Sequence, residues 1–163
     1  MKITIDPFDK ASIDAAIQLV KQYKRDFAEK EKLFVKRLKD VGVSVATSGF
    51  ASAKYDGVND VVVTSIQEDN RAYVIAYGET VGFIEFGTGI RHPEWGGFGV
   101  SYVPPAHGTY GKGKGKQPHG WWYTPVEGGK GKHTYGNPPA QAMLAARDEM
   151  IEKVTQIARE VWR

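Results

Sequence analysis

The chain has 163 residues, no cysteine, 25% charged residues and a net charge of +3. That excludes disulfide frameworks, thiolate metal sites and thiol nucleophiles together, while leaving enough chain for one domain with its own core. No run approaches ~18 apolar residues, the start Met1–Pro7 predicts no secretory signal, and the charge is mild for a dedicated nucleic-acid binder. The expectation is a soluble protein of a reducing or undemanding compartment.

Residues from about Ser12 to Val41 read as one amphipathic helix. Ile13, Ile17, Val20, Phe27, Phe34, Leu38 and Val41 recur in steps of three, four or seven. Lys24 and Glu31 complete the series, their stems lying along apolar surface with the charges at its edge. Ser12 is the expected N-cap, with Asp14 near the positive end of the dipole, and Gly42 the expected stop. At ~1.5 Å per residue the rod is roughly 45 Å long. That exceeds the needs of a small domain and points to a surface shared with neighbours.

The stretch from Val43 to Ala53 is ambiguous, being rich in small residues around Phe50. Asp60–Gln67 and Arg71–Gly78 then read as strands joined through Glu68-Asp69-Asn70, a β-hairpin. Val81–Phe86 fits either a short strand or a helical turn. Beyond it the composition changes: of 19 glycines, 14 lie between Gly87 and Gly136, with all four histidines and three of the four tryptophans. Such a stretch is a long loop or extended hairpin, with short strands placed at Gly99–Val103 and Trp121–Thr124. Loops this long within compact domains are usually functional.

From Asn137 the chain is helical again, with Asn137 as cap and Pro138 and Pro139 in the first turn. Met143, Met150, Val154, Ile157 and Val161 mark its buried stripe, flanked by Leu144, Ile151 and Trp162. The order predicts an α+β fold, with the long N-terminal helix and the C-terminal helix packed on a small antiparallel sheet. Residues 1–163 form a single domain, with a core of about 10–89 and 135–163 and an arm of about 90–134.

No catalytic constellation emerges. Gly111–Gln117 fails as a phosphate loop, since Tyr110 holds the first glycine position and Gln117 the hydroxyl position. Gly82 to Gly87 has the right spacing, but Thr88 replaces the lysine. His92, His107, His119 and His133 are more than ten residues apart and read as loop histidines, so no metal or cofactor is expected. There is no G-x-S-x-G elbow around Ser65 or Ser101. Glu85 is the one suspicious carboxylate, an acid between Ile84 and Phe86 that needs a partner. The structural reading gives it a backbone N–H or an arginine such as Arg91 or Arg147.

Between Gly108 and His133 stand Lys112, Lys114, Lys116, Lys130 and Lys132 against Glu127 alone, a net of +4 that exceeds the whole chain's +3. Two readings stand side by side. Glycine-spaced lysines suit sequence-independent phosphate contact, with Trp121, Trp122 and Tyr123 stacking on bases. Equally, the lysines keep a long loop solvated while the aromatics pack on a partner subunit. The Lys112–Lys116 loop alone neutralises too few phosphates for tight binding.

Phe83-Ile84-Glu85-Phe86-Gly87-Thr88-Gly89, with Tyr135-Gly136-Asn137-Pro138-Pro139-Ala140-Gln141-Ala142-Met143-Leu144 opening the last helix, resembles the HK97 gp10-like family of tailed-phage proteins. In that family an aromatic-x-E-F-G-T segment follows a β-hairpin, and a P-A-x-P-F-[LM] segment begins the last helix. Thr47-Ser48-Gly49-Phe50 is similar to the family's T-G-x-L stretch. Ala142 and Met143 replace its Pro-Phe, and the excursion from Ile90 to Thr134 is longer than usual, so the resemblance assigns the arm no purpose.

The resemblance implies a non-enzymatic virion protein of the neck, assembled in the host cytoplasm. It would be a tail-completion or tail-terminator subunit in a ring, typically sixfold, between head connector and tail tube. A head-closure or minor tail protein at another neck position is the alternative within virion assembly. A non-specific nucleic-acid binder is the alternative outside it. In a ring, heterologous interfaces join unlike patches. Glu85 and Phe86 would support them, Phe86 buried and Glu85 bound to backbone or arginine donors. Trp95, Trp121, Trp122 and Tyr123 would anchor the arm on a neighbour or the tube, and the five lysines would line a lumen for passing DNA.

Overall fold

The computed structural model describes residues 4–55, 57–88, 119–124 and 129–163. The fold is α+β, in the order α1 (Lys10–Ala51), β1 (Val62–Glu68), β2 (Arg71–Tyr77), α2 (Val81–Phe86), β3 (Trp121–Tyr123), β4 (Lys132–Thr134) and α3 (Ala142–Val161). The strand expected at Gly99–Val103 lies outside the described residues.

Helix α1 is longer than its periodicity predicts: 42 residues, or about 63 Å. Its N-cap is Asp9, not Ser12. The Asp9 carboxylate accepts from the amides of Ala11 at 3.0 Å and Ser12 at 3.2 Å, whereas the Ser12 hydroxyl accepts from the Asp6 amide at 2.9 Å. Gly42 does not end the helix. A Cβ there would stand 2.6 Å from Met150 Sδ and 3.0 Å from Val74 Cγ2, so the glycine is where α3 and β2 both close on α1. The helix then continues through Ala46 and Gly49. A Cβ on Gly49 would stand 2.7 Å from that of Ala142. The small residues that obscured this stretch in the sequence are the ones that let two helices approach.

Helix α3 runs antiparallel to α1, from Ala142 beside Gly49 to Trp162 beside Phe27 and Phe34. Its buried stripe is narrower than predicted. Ala142, Ala146, Ile157 and Val161 are buried, Met143 and Met150 are half-buried, and Val154 and Ile151 face solvent. Strands β1 and β2 pair antiparallel over seven residues without a bulge, from Val62–Tyr77 to Glu68–Arg71. One face, carrying Val63, Ser65, Gln67, Ala72, Val74 and Ala76, is partly buried, and α1 lies against it. The Gln67 amide donates to the Lys32 carbonyl at 3.1 Å, and Lys39 Nζ donates to Gln67 Oε1 at 3.4 Å. The core joins Phe50, Ile84 and Ala142, with Val61, Val63, Ala76, Val81 and Met143 packed around them.

Val81–Phe86 is the helical turn of the two options. Its start is fixed by Asp60, whose carboxylate accepts from the Glu79 amide at 2.7 Å and from the Thr80 amide at 3.0 Å. The Thr80 hydroxyl donates to it as well. That hydroxyl, followed by the backbone donors, holds the Asp60 carboxyl below its usual value.

Candidate functional site

The two segments that carry the family resemblance meet in space. Glu85, only 7% exposed, turns its carboxylate onto the open N-terminus of α3. It accepts from the Met143 amide at 3.0 and 3.2 Å and from the Leu144 amide at 3.2 Å. These are among the four amides every helix leaves unpaired at its start, and the negative charge suits the dipole there. The remaining geometry locks the pair of segments together. Ala140 N donates to Ile84 O at 2.8 Å, Gln141 N to Glu85 O at 3.2 Å, and Thr88 N to Asn137 O at 3.0 Å. Asn137, buried, donates from its side chain to Phe83 O at 3.1 Å and from its backbone to the Thr88 hydroxyl at 3.0 Å.

Gly87 makes this closeness possible. Its φ is 69°, and a Cβ would stand 2.7 Å from both Asn137 O and Pro139 N. Only glycine combines that backbone with that approach. The junction therefore closes the base of the excursion, holding Thr88 on its outgoing side against Asn137 on its return.

Several expectations change here. Asn137 is not the cap of α3. It is engaged with Thr88 and Phe83, and the helix begins five residues later, after Gln141 in a left-handed conformation (φ 54°). Pro138 and Pro139 accordingly precede the helix instead of forming its first turn. Arg147 is not the partner of Glu85, since it pairs with Asp148 at 2.7 Å; Arg91 lies outside the described residues. Glu85 is thus satisfied by backbone donors within its own chain and faces inward. Phe86, expected buried, is 41% exposed.

In the arm, β3 and β4 pair antiparallel, setting Trp121 opposite Thr134, Trp122 opposite His133 and Tyr123 opposite Lys132. Trp122 is 72% exposed and meets the His133 ring edge-on at 5.4 Å; His133 meets Tyr135 in the same way at 4.9 Å. Lys130 and Lys132 are exposed. Trp95, Lys112, Lys114 and Lys116 lie outside the described residues, as do His92 and His107. His133 Nε2 is 2.7 Å from the His119 carbonyl.

Two exposed apolar surfaces stand out among the described residues. The first is the N-terminal half of α1. From Lys10 to Asp26 only Ala16 is buried, so Ile13, Ile17 (45% exposed) and Val20 face solvent, with Leu19 and Tyr23 beside them. The stripe was legible, but not that α3, ending at Val161 with Trp162 as its cap, leaves about four turns of it uncovered. The second is the face of the hairpin turned away from α1, where Val62, Ile66, Tyr73 and Tyr77 are each about half exposed around Thr64 and Ile75. Alternation in both strands was the available signal.

No family model, curated protein or solved structure matches the chain. Among the described residues, no helix is long and apolar enough to cross a membrane.

Proposed function

We propose that this protein is a structural subunit of the tailed-phage neck, a tail-completion or tail-terminator protein. It works by forming a homo-oligomeric ring, sixfold in the type, that docks between the head connector or head-closure protein and the tail tube. It performs no reaction. The neck assignment is supported by the F-I-E-F-G-T and N-P-P-A-Q-A-M segments, whose residues form a single joint.

The observation that carries the assembly reading is the bare half of α1. A helix without tertiary cover is marginal in water over this length, and exposed apolar patches of several side chains mark interaction sites. Here they lie on a rod about 25 Å long that extends past the end of α3. The exposed Trp122, Lys130 and Lys132 suit contacts to a tube surface and to DNA passing through a lumen.

The test is sedimentation velocity with negative-stain electron microscopy on the purified chain, alone and with the tube protein. Rings with a central opening are expected. A strictly monomeric protein under both conditions overturns the reading.

A further inference from the structure

The two uncovered apolar surfaces fit one another. We infer that the N-terminal half of α1 in one copy docks on the outward face of the β1–β2 hairpin in the next; this inference rests on the ring reading above.

The dimensions agree. The stripe from Ile13 to Phe27 is about 21 Å long, and seven-residue strands run about 23 Å. Two strands spaced ~4.8 Å apart, with their side chains, present a strip close to the ~10 Å width of one helix. A helix laid on the apolar face of a sheet is also the ordinary way such a face is buried. Within the chain, the C-terminal half of α1 already covers the inner face of the hairpin. The N-terminal half of a neighbour's α1 would supply the same kind of layer outside. The hairpin then becomes the middle of a helix–sheet–helix sandwich, where alone it is a two-stranded sheet with one wet apolar face.

Charge selects the same pairing. The docking stripe from Ile13 to Phe27 carries Lys21, Lys24 and Arg25 against Asp14 and Asp26, with Lys10 before it balanced by the cap Asp9, whereas around the hairpin Asp60, Glu68, Asp69 and Glu79 outnumber Arg71. A helix-to-helix contact would set like charges together, as would a hairpin-to-hairpin contact; helix to hairpin sets opposite ones together. Lys24 interrupts the stripe next to Phe27, so its ammonium fits over Glu68 and Asp69 at the hairpin tip, with Ile13 toward Val62 and Tyr77. Because the patches differ, the contact is heterologous and propagates from copy to copy until the ring closes.

The test uses two variants that keep their local propensities. Ile17→Gln/Val20→Gln strips the helix face without weakening the helix, and Ile66→Thr/Tyr73→Thr strips the sheet face with a strand-favouring residue. Each alone should fall from the ring mass to monomer with an unchanged circular dichroism spectrum. Mixed in equal amounts, they should form a one-to-one dimer, since each still carries the surface the other lacks. Rings persisting in both variants would overturn this interface while leaving the ring reading standing. A wild type that stays monomeric both alone and with the tube protein would overturn both.

Should either variant unfold, the absence of native cysteine allows a direct measurement. Oxidised Val20→Cys/Thr64→Cys should give a ladder of cross-linked oligomers, and Val20→Cys alone none. Cross-linking of the single variant with no ladder from the double would overturn the proposal.

Discussion

Glu85 caps the helix of which Met143 is the second residue, across 58 residues of sequence: both oxygens of its carboxylate accept from the Met143 amide, at 3.0 and 3.2 Å. The contact ties α2 to α3 and closes the base of the arm. Its charge faces a helix N-terminus, where backbone amides and dipole act together.

Glu85→Gln keeps one acceptor oxygen but removes the charge, and should cost about 1–2 kcal/mol. Glu85→Ala leaves buried amides without an acceptor and should cost about 2–3 kcal/mol. Urea denaturation reads both as a lower midpoint at unchanged slope. An unchanged midpoint in the alanine variant would show that the carboxylate does not hold the junction.

An acid flanked by Ile84 and Phe86 announces a buried partner, and backbone donors were one of two partners the residues themselves suggested. The donor's identity was hidden, because a cap supplied from another element leaves no trace in the local sequence of the helix it caps. The same separation misled the reading of Asn137, which has the right residue type for a cap but spends its groups on Thr88 and Phe83. Hairpin and helices were readable because period two and period 3.6 are local. The ends of α1 were not, since Gly42 looks like a stop until Met150 is seen to fill the space its missing Cβ leaves.

That space gives a second expectation. Gly49→Ala would place a Cβ 2.7 Å from the Ala142 Cβ and 3.0 Å from its Cα, and backbone cannot swing aside. The helices must separate, at about 1–3 kcal/mol, which exceeds the gain of up to about 1 kcal/mol in helix propensity. Gly42→Ala meets first the thioether of Met150, an unbranched side chain that can shift. It should therefore cost clearly less than Gly49→Ala. Thermal melts of the two variants side by side decide it, and equal losses would count against the close crossing at Ala142.

Asp60 sets a pH dependence. Hydrogen bonds from the Thr80 hydroxyl and the Glu79 amide lower its carboxyl from the ordinary value of 3.8. The unfolded chain therefore binds the proton more readily than the folded one. This stability is fully present above about pH 4 and is lost as pH falls through the lower, folded value. Asp60→Asn should flatten the acid limb of stability below pH 4 and leave its slope near neutrality unchanged. An acid limb identical to wild type would exclude Asp60 as a contributor.

The far end of α3 weighs packing against charge. Trp162 packs against Phe34 at 5.1 Å and Phe27 at 6.3 Å, one turn from the Arg37–Glu160 ion pair at 2.8 Å. Both ionic side chains are more than two-fifths exposed, so solvent screens the pair and Glu160→Gln should cost under about 0.5 kcal/mol. Trp162 is itself 38% exposed. Trp162→Ala should therefore cost about 2 kcal/mol, less than a fully buried aromatic. The loss should also be local. With the indole gone, Phe27, already 45% exposed, loses its contact with the end of α3, and amide exchange should quicken in α1 from Phe27 toward Phe34 while residues around Gly42 keep their protection. If exchange instead quickens evenly along α1, Trp162 does not mark the boundary between its covered and uncovered halves.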